Sequence, residues 1–374
     1  MKRSMTRALL VPLLLVAACS APAAGGTTPS GTDPAAAAAA EKALAPYLVK
    51  PTTISVDQPL TQRPPTGKKV YWLEGNIQSI LPLTGGFKQA AAALGWQLTV
   101  LTYDPTDPQG PSSAMAQAVA GKADYIAVSG QTIAVLGAAL DSAKAAKIPV
   151  IELFSTDDVG GAANGIYANI GSAEFSKRSG NLVADFVISD SAGTGKVLFA
   201  NVPDFAILRI VGDAVAQDYQ QSCAGCRLTT LNISTSDMAA GNAASAIVSR
   251  LQADPSIGYV QVAIGDLATG LPEALASAGL GDKVKIVGGV PNKEQMQQLI
   301  DGKAAAYSTF GRPEAAWQAV DAMARISVGM DPGAQQHVFL PLWVLTPKTV
   351  PNPAQDYAGS AGHEAQFTKL WQVS

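Results

Sequence analysis

Few residues in this chain are equipped for chemistry. Its 374 residues include two histidines, His337 and His363, and three cysteines, Cys19, Cys223 and Cys226, too little material for a transition-metal enzyme. Cys223 and Cys226 stand in QSCAGCRL, and a C-x-x-C pair can close a small disulfide, supply half of a zinc knuckle or form a dithiol redox centre. A knuckle needs a second ligand pair, which the sequence lacks, and a thioredoxin-like centre should open a helix near the start of a fold. Here the pair falls between an expected helix end, VAQDYQQ, and an expected strand, RLTTLNI, a setting that favours a structural disulfide. GTGK (193–196) has the composition of a phosphate-loop fragment, but a phosphate loop follows a strand and opens a helix, whereas this one precedes a strand and lacks the following Ser or Thr. It reads as a turn. No G-x-G-x-x-G follows the first expected strand, and neither G-x-S-x-G nor H-E-x-x-H occurs. The chain is expected to be no enzyme and to need no cofactor and no metal.

The amino terminus addresses the chain rather than folding it. Lys2, Arg3 and Arg7 precede an apolar run over 8–18 that is too short to cross a bilayer, the pattern of an export signal. The junction Val16-Ala17-Ala18-Cys19 resembles a bacterial lipobox, in which small residues admit a peptidase ahead of a cysteine that takes the lipid. An ordinary signal peptide with a chance cysteine is the competing reading. The Ser/Gly/Pro/Ala tract that follows has almost no large apolar residue, so 19–45 is expected to be a flexible tether. Removing the leader's three positive charges from a formal net charge of −3 leaves −6. An acidic chain without a Lys/Arg stripe argues against nucleic acid as a partner. A content of 48% apolar and 15% charged residues excludes disorder over the whole length, and 374 residues leave room for two domains at roughly 100–200 each.

From residue 69 onward, β-rich runs alternate with helical patterns. The strands KVYWL (69–73), QLTVL (97–101), YIAVS (125–129) and PVIEL (149–153) are separated by helices over 83–94, 112–120 and 133–146. Strands apolar on both faces and separated by helices belong to a parallel, doubly wound sheet. The pattern then restarts, with helices over 172–188, 205–221, 239–253, 267–278 and 293–300 between strands at 196–200, 227–233, 259–264, 285–289 and 305–310. A helix over 317–328 and a last strand, HVFLPLWVL (337–345), precede a polar tail. Gly95, Gly279 and Gly302 stand where helices should stop. The fold class is α/β, with two lobes of one kind, and a ligand is expected beyond the carboxyl ends of the strands. Glu74 and Asn76 occupy such a place after the first strand, and Gln131 after the third.

Four segments in this order resemble the periplasmic binding protein type I family, in its ribose-binding-like branch: GGFKQAAAALGW (85–96), ALDSAKAAKIPVIEL (139–153), AIGDLATGLPEALASAG (263–279) and VGGVPNKEQMQQLIDGKAAA (287–306). The resemblance implies two Rossmann-like lobes joined by a three-strand hinge and closing on a small molecule, with 46–170 plus 311–336 in one lobe and 171–310 plus 337–374 in the other. His337 and His363 would then lie far from the cleft. Lipid-anchored members of the family hand their solute to an ABC importer, so the implied partners are a permease and, through the anchor, the membrane, with the protein a monomer at the outer face of the bacterial cytoplasmic membrane.

The departures from the family bear on the ligand. Where sugar binders usually show Asn-Pro-Phe-Phe, this chain has Asn76-Ile77-Gln78-Ser79-Ile80, which puts polar side chains in place of an aromatic platform. Where they commonly have Asp-Arg after the fourth strand, it has Phe154-Ser155. Asp266 matches the acidic residue the family presents from the second lobe, Arg209 falls near its cleft arginine, and Asn242 lies near its asparagine. N-capping is the structural alternative for Asp266, and a surface salt bridge the alternative for Arg209. Phe154 and Phe205 could flank a ring by stacking, or simply pack in the core, which is the role expected of Trp317. The expected function is capture of a small polar solute, a sugar or sugar-like polyol. The alternatives are an aromatic, nucleoside-like or acidic solute, and a sensor that signals to a membrane kinase.

Overall fold

The computed structural model of the chain describes residues 32–332 and 339–373. The leader, Cys19 and His337, with the expectations placed on them, lie outside those residues. Within them no helix is long and apolar enough to cross a membrane.

The described residues begin with a helix inside 19–45, the segment expected to be a tether. Asp33 caps α1 (Pro34–Leu44) by accepting from the Ala36 N–H at 3.0 Å, and Pro34 starts the helix where its missing N–H costs nothing. The alanines that look unable to bury anything let α1 lie flat against α5 (Ala173–Asp190), with Ala40 and Leu44 in the core. Composition alone hid this, because a small-residue tract is also what close helix packing requires.

The first sheet holds β1 (Lys69–Gly75), β2 (Gln97–Tyr103), β3 (Tyr125–Ser129), β4 (Val150–Leu153) and β5 (Ile166–Ile170), in the order 2-1-3-4-5 and all parallel. It is wound with α2 (Pro82–Ala93), α3 (Gly110–Ala120) and α4 (Ile133–Ala145). The second sheet holds β6 (Lys196–Asn201), β7 (Arg227–Asn232), β8 (Tyr259–Val262), β9 (Lys285–Gly289), β10 (Ala306–Phe310) and β11 (Leu342–Leu345), in the order 11-10-9-8-6-7. Only β11 runs antiparallel. Both sheets therefore share one strand order, as two α/β lobes of one kind require, with β11 added at an edge.

Several expected elements are redrawn by local chemistry. The strand β5 was not legible, its five residues being hidden between a Gly-rich loop and α5. The helix expected over 239–253 is two, α7 (Thr235–Ala239) and α8 (Ala243–Ala253), because Gly241 takes φ 75° between them. Likewise Gly270 at φ 66° separates a short turn of helix over Gly265–Ala268 from α9 (Leu271–Ser277). α10 (Lys293–Ile300) lies as expected and carries a capping box on Asn292. α11 (Arg312–Ser327) starts a turn and a half before the expected residue, with Pro313 in its first turn.

The tail is the main correction to the lobe boundaries. Residues beyond β11 do not stay with the second sheet but form α12 (His363–Leu370), which packs on α11 at the first lobe. Trp317 stacks on Trp371 at 5.2 Å and lies 5.9 Å from Phe367, and Trp371 is fully buried. Trp317 is thus a packing residue, as read. His363 is buried edge-on to Trp317, and burial holds its pKa below the usual imidazole range. On its way the tail passes the start of α11: a Cβ at Gly311 would sit 2.3 Å from Gly359 Cα, so only glycine allows the chain to cross there. Glu314 accepts from the Ser360 N–H at 2.6 Å and is pushed up to about 7 by burial.

Cys223 and Cys226 form a disulfide across the turn between α6 (Ala206–Ser222) and β7, both sulfurs buried. The pair sits where the sequence placed it, at a helix end before a strand.

Candidate functional site

The carboxyl ends of strands from both sheets converge on one chamber of about 110 Å3. From the first lobe come Ile77 after β1, Tyr103 at the end of β2, Ser129 and Gln131 at and after β3, and Phe154 after β4. From the second come Phe205 and Leu208 at the start of α6, Ile264 after β8, Val290 after β9 and Phe310 at the end of β10. Phe154 lies against Phe310 at 5.0 Å, and Phe310 meets Phe175 edge-on at 5.2 Å, so the floor is an aromatic cluster. Among the described residues, no charged side chain lines the chamber.

Polar groups enter at one end. Gln131 Nε2 donates to Tyr103 Oη at 3.1 Å, and burial pushes the Tyr103 phenol up to about 12, so it stays protonated with its own hydrogen available to an acceptor. Deeper in, Gln261 takes the Tyr219 hydroxyl at 2.9 Å and donates to the Gly180 carbonyl at 3.3 Å, and the Ser179 and Ser308 hydroxyls bond each other at 2.9 Å. These groups already have partners.

Two polar recesses adjoin the chamber. One, of about 650 Å3, is lined by Asn76, Gln78, Asp104, Asp266 and Thr269. There the lobes touch: Asp266 Oδ2 accepts from the Ser79 N–H at 3.3 Å, and burial raises the Asp266 pKa against the hydrogen bonds that lower it. The other, of about 450 Å3, holds Asp107, Thr132, Asp204, Arg209 and Thr235, and shares Gly130, Gln131 and Phe205 with the chamber. Arg209 donates through Nε to the Pro203 carbonyl at 3.2 Å.

Of the residues singled out from sequence, Gln131, Phe154 and Phe205 line the chamber, while Asn76, Gln78, Asp266 and Arg209 line the recesses. Three lie elsewhere. Glu74 is turned back onto its own lobe, accepting from the Thr84 and Thr102 hydroxyls. The Ser79 side chain is buried, and its N–H donates to Asp266. Asn242 points back along the chain to Asp237 at 3.3 Å, since the turn at Gly241 reverses it away from the cleft. The reading missed Tyr103, Val290 and Phe310, which the rule applied to Glu74, that strand ends face the ligand, would have found on β2, β9 and β10.

Phe154 and Val290 share a backbone oddity, with φ of 53° and 49°. For a β-branched residue this region is costly, and side chains held there cluster at ligand sites. Beneath Phe154, Glu152 is buried next to Asp157 and Ser155, and burial first, then the Asp157 charge, pushes it up to about 8. Asp157 in turn caps α4 at the Ile133 N–H, and Asn169 bridges the Ser155 and Asp157 carbonyls at 2.9 and 3.2 Å.

Residues 72–331 match the model of the periplasmic binding protein domain family. The chain belongs to that family. Periplasmic binding proteins bind solutes and are not catalysts. Solved structures similar to this one are those of GanP, a glucose-galactose binding protein from Geobacillus stearothermophilus (19% identity, TM-score 0.66, covering 77% of this chain and 100% of that one), and of a 5-methylthioribose transporter solute binding protein from Thermotoga lettingae (18%, 0.67, 82% and 100%). A periplasmic ribose ABC transporter protein from Conexibacter woesei is also similar (21%, 0.60, 77% and 95%). At these identities the likeness is one of fold, that of the type I periplasmic binding proteins. No curated protein sequence matches the chain.

Proposed function

We propose that this periplasmic binding protein is the solute-binding component of an ABC importer, that it captures a sugar or sugar-like polyol by closing its lobes, and that a lipid on Cys19 holds it, as a monomer, at the outer face of the cytoplasmic membrane. The observation that carries the reading is the chamber itself: strand ends of two sheets face each other across it, and Asp266 of one lobe reaches the Ser79 N–H of the other. The fold neighbours, named for glucose-galactose, 5-methylthioribose and ribose, support a sugar as the solute class. Arg209, in the recess with Thr132 and Asp204, is the charged side chain that would meet its hydroxyls, adding roughly 1.5–3 kcal/mol per hydrogen bond, while Asn76, Gln78 and Asp266 line the recess where the Asp266–Ser79 contact holds the lobes together. The apolar lining favours a second reading, an aromatic or nucleoside-like solute. Native mass spectrometry of the protein as purified from its own cells tests the reading. A bound mass equal to a sugar or sugar derivative, lost in Asp266→Ala, is the expected result; a bound mass that is not sugar-derived overturns the solute class. Cys19→Ala should release the protein from membranes, and retention there would overturn the anchor.

A further inference from the structure

We infer that the solute is a sugar bearing an apolar substituent, an aryl glycoside or an alkylthio sugar rather than an unsubstituted monosaccharide, with the substituent in the chamber and the hydroxyls in the recess beside Arg209. This rests on the sugar-importer reading above and sharpens it.

The chamber and the recess differ in chemistry and are continuous. Ile77, Phe154, Leu208, Val290 and Phe310 make the chamber wall, and its volume of about 110 Å3 is of the order of the roughly 150 Å3 apolar cavity that takes up benzene. A free hexose there would bury most of its hydroxyls against carbon, because Gln261, Ser176 and Ser179 already have partners and the other polar side chains, Tyr103, Ser129 and Gln131, stand together at the ends of β2 and β3. The adjoining recess is larger and carries Asp107, Thr132, Asp204 and Arg209, the kinds of side chain that hydroxyls need. Gln131 and Phe205 line both spaces, so one molecule can thread from the polar to the apolar side past them. The chamber is also built at a cost: Phe154 and Val290, one from each lobe, hold apolar side chains in it from left-handed backbone. An apolar group on the solute gives those two residues something to enclose.

Calorimetry on the full chain with phenyl β-D-galactopyranoside, 5-methylthioribose, D-galactose, D-ribose and phenol decides the matter. At least one substituted sugar should bind tenfold or more tightly than its parent sugar, and phenol should bind more weakly than the glycoside. Leu208→Gln, which puts an amide into the chamber, should shrink the ratio of substituted-sugar to parent-sugar affinity at least fivefold; should it lower the melting temperature markedly, Ile77→Thr serves as the second variant, with the same expectation. Equal affinity for substituted and parent sugars would overturn the inference and leave the sugar reading standing. Phenol binding as tightly as the glycoside would overturn the sugar reading itself, and failure of all five probes to bind would overturn both.

Discussion

The two lobes finish the same strand in the same way and then diverge beneath it. Phe154, the first residue after β4, donates its N–H to Ile170 O at 2.9 Å, and Val290, the first after β9, donates to Ser308 O at 2.9 Å, both from positive φ. Two residues earlier the first lobe has Glu152 and the second has Gly288. Glu152 is buried and pushed up to about 8, whereas a Cβ at Gly288 would lie 2.3 Å from Val262 Cγ2. One platform is thus underlain by a titratable group and the other by bare backbone. The difference places a titrating carboxyl beneath the first platform and none beneath the second.

The comparison can be broken at several points. Since α12 belongs to the first lobe, Trp371→Ala should cost about 3–5 kcal/mol. Hydrogen exchange should show the loss in α11 and the first sheet, and an equal loss of protection in β6 and β7 would mean that the lobes do not open separately. Next comes the carboxyl. A group whose folded pKa is raised from the ordinary 4.5 to about 8 keeps its proton in the fold and loses it in the unfolded chain, so stability falls as pH rises through that window. Glu314 at about 7 and Asp185 at about 6, both raised chiefly by burial, act with the same sign. Glu152→Gln should therefore stabilise the protein at pH 9 by on the order of 2–4 kcal/mol and change little at pH 5. Gly288→Ala should destabilise by about 1–3 kcal/mol at both pH values. Urea titrations at the two pH values check the pair, and a pH-independent Glu152→Gln would remove the contrast between the lobes. The smallest effect is expected from serine at both Cys223 and Cys226, about 2 kcal/mol by chain entropy, with the melting temperature lowered and solute affinity unchanged.

The fold was legible because parallel strands announce themselves. KVYWL, YIAVS and KIVGG are apolar on both faces and are separated by alanine-rich helices, and each became a strand within a residue or two of its expected bounds. What escaped was set by tertiary contact. α1 is an alanine tract whose meaning depends on α5 lying beside it, and α12 looks polar until Phe367 and Trp371 meet Trp317. The site divided in the same way. Gln131, Phe154 and Phe205 lie within four residues of a strand end and line the chamber, whereas Glu74 is held by Thr84 and Thr102, neighbours that periodicity does not reveal.

The central claim is that the two lobes close on a solute that both of them hold. Small-angle scattering of the protein alone, of the protein saturated with whichever sugar or glycoside calorimetry shows to bind, and of Asp266→Ala under the same conditions tests it most directly. The account predicts a smaller radius of gyration with solute than without, and a reduced or absent change in the variant that has lost the Asp266–Ser79 contact. A radius that stays the same with and without bound solute, in parent and variant alike, would contradict it.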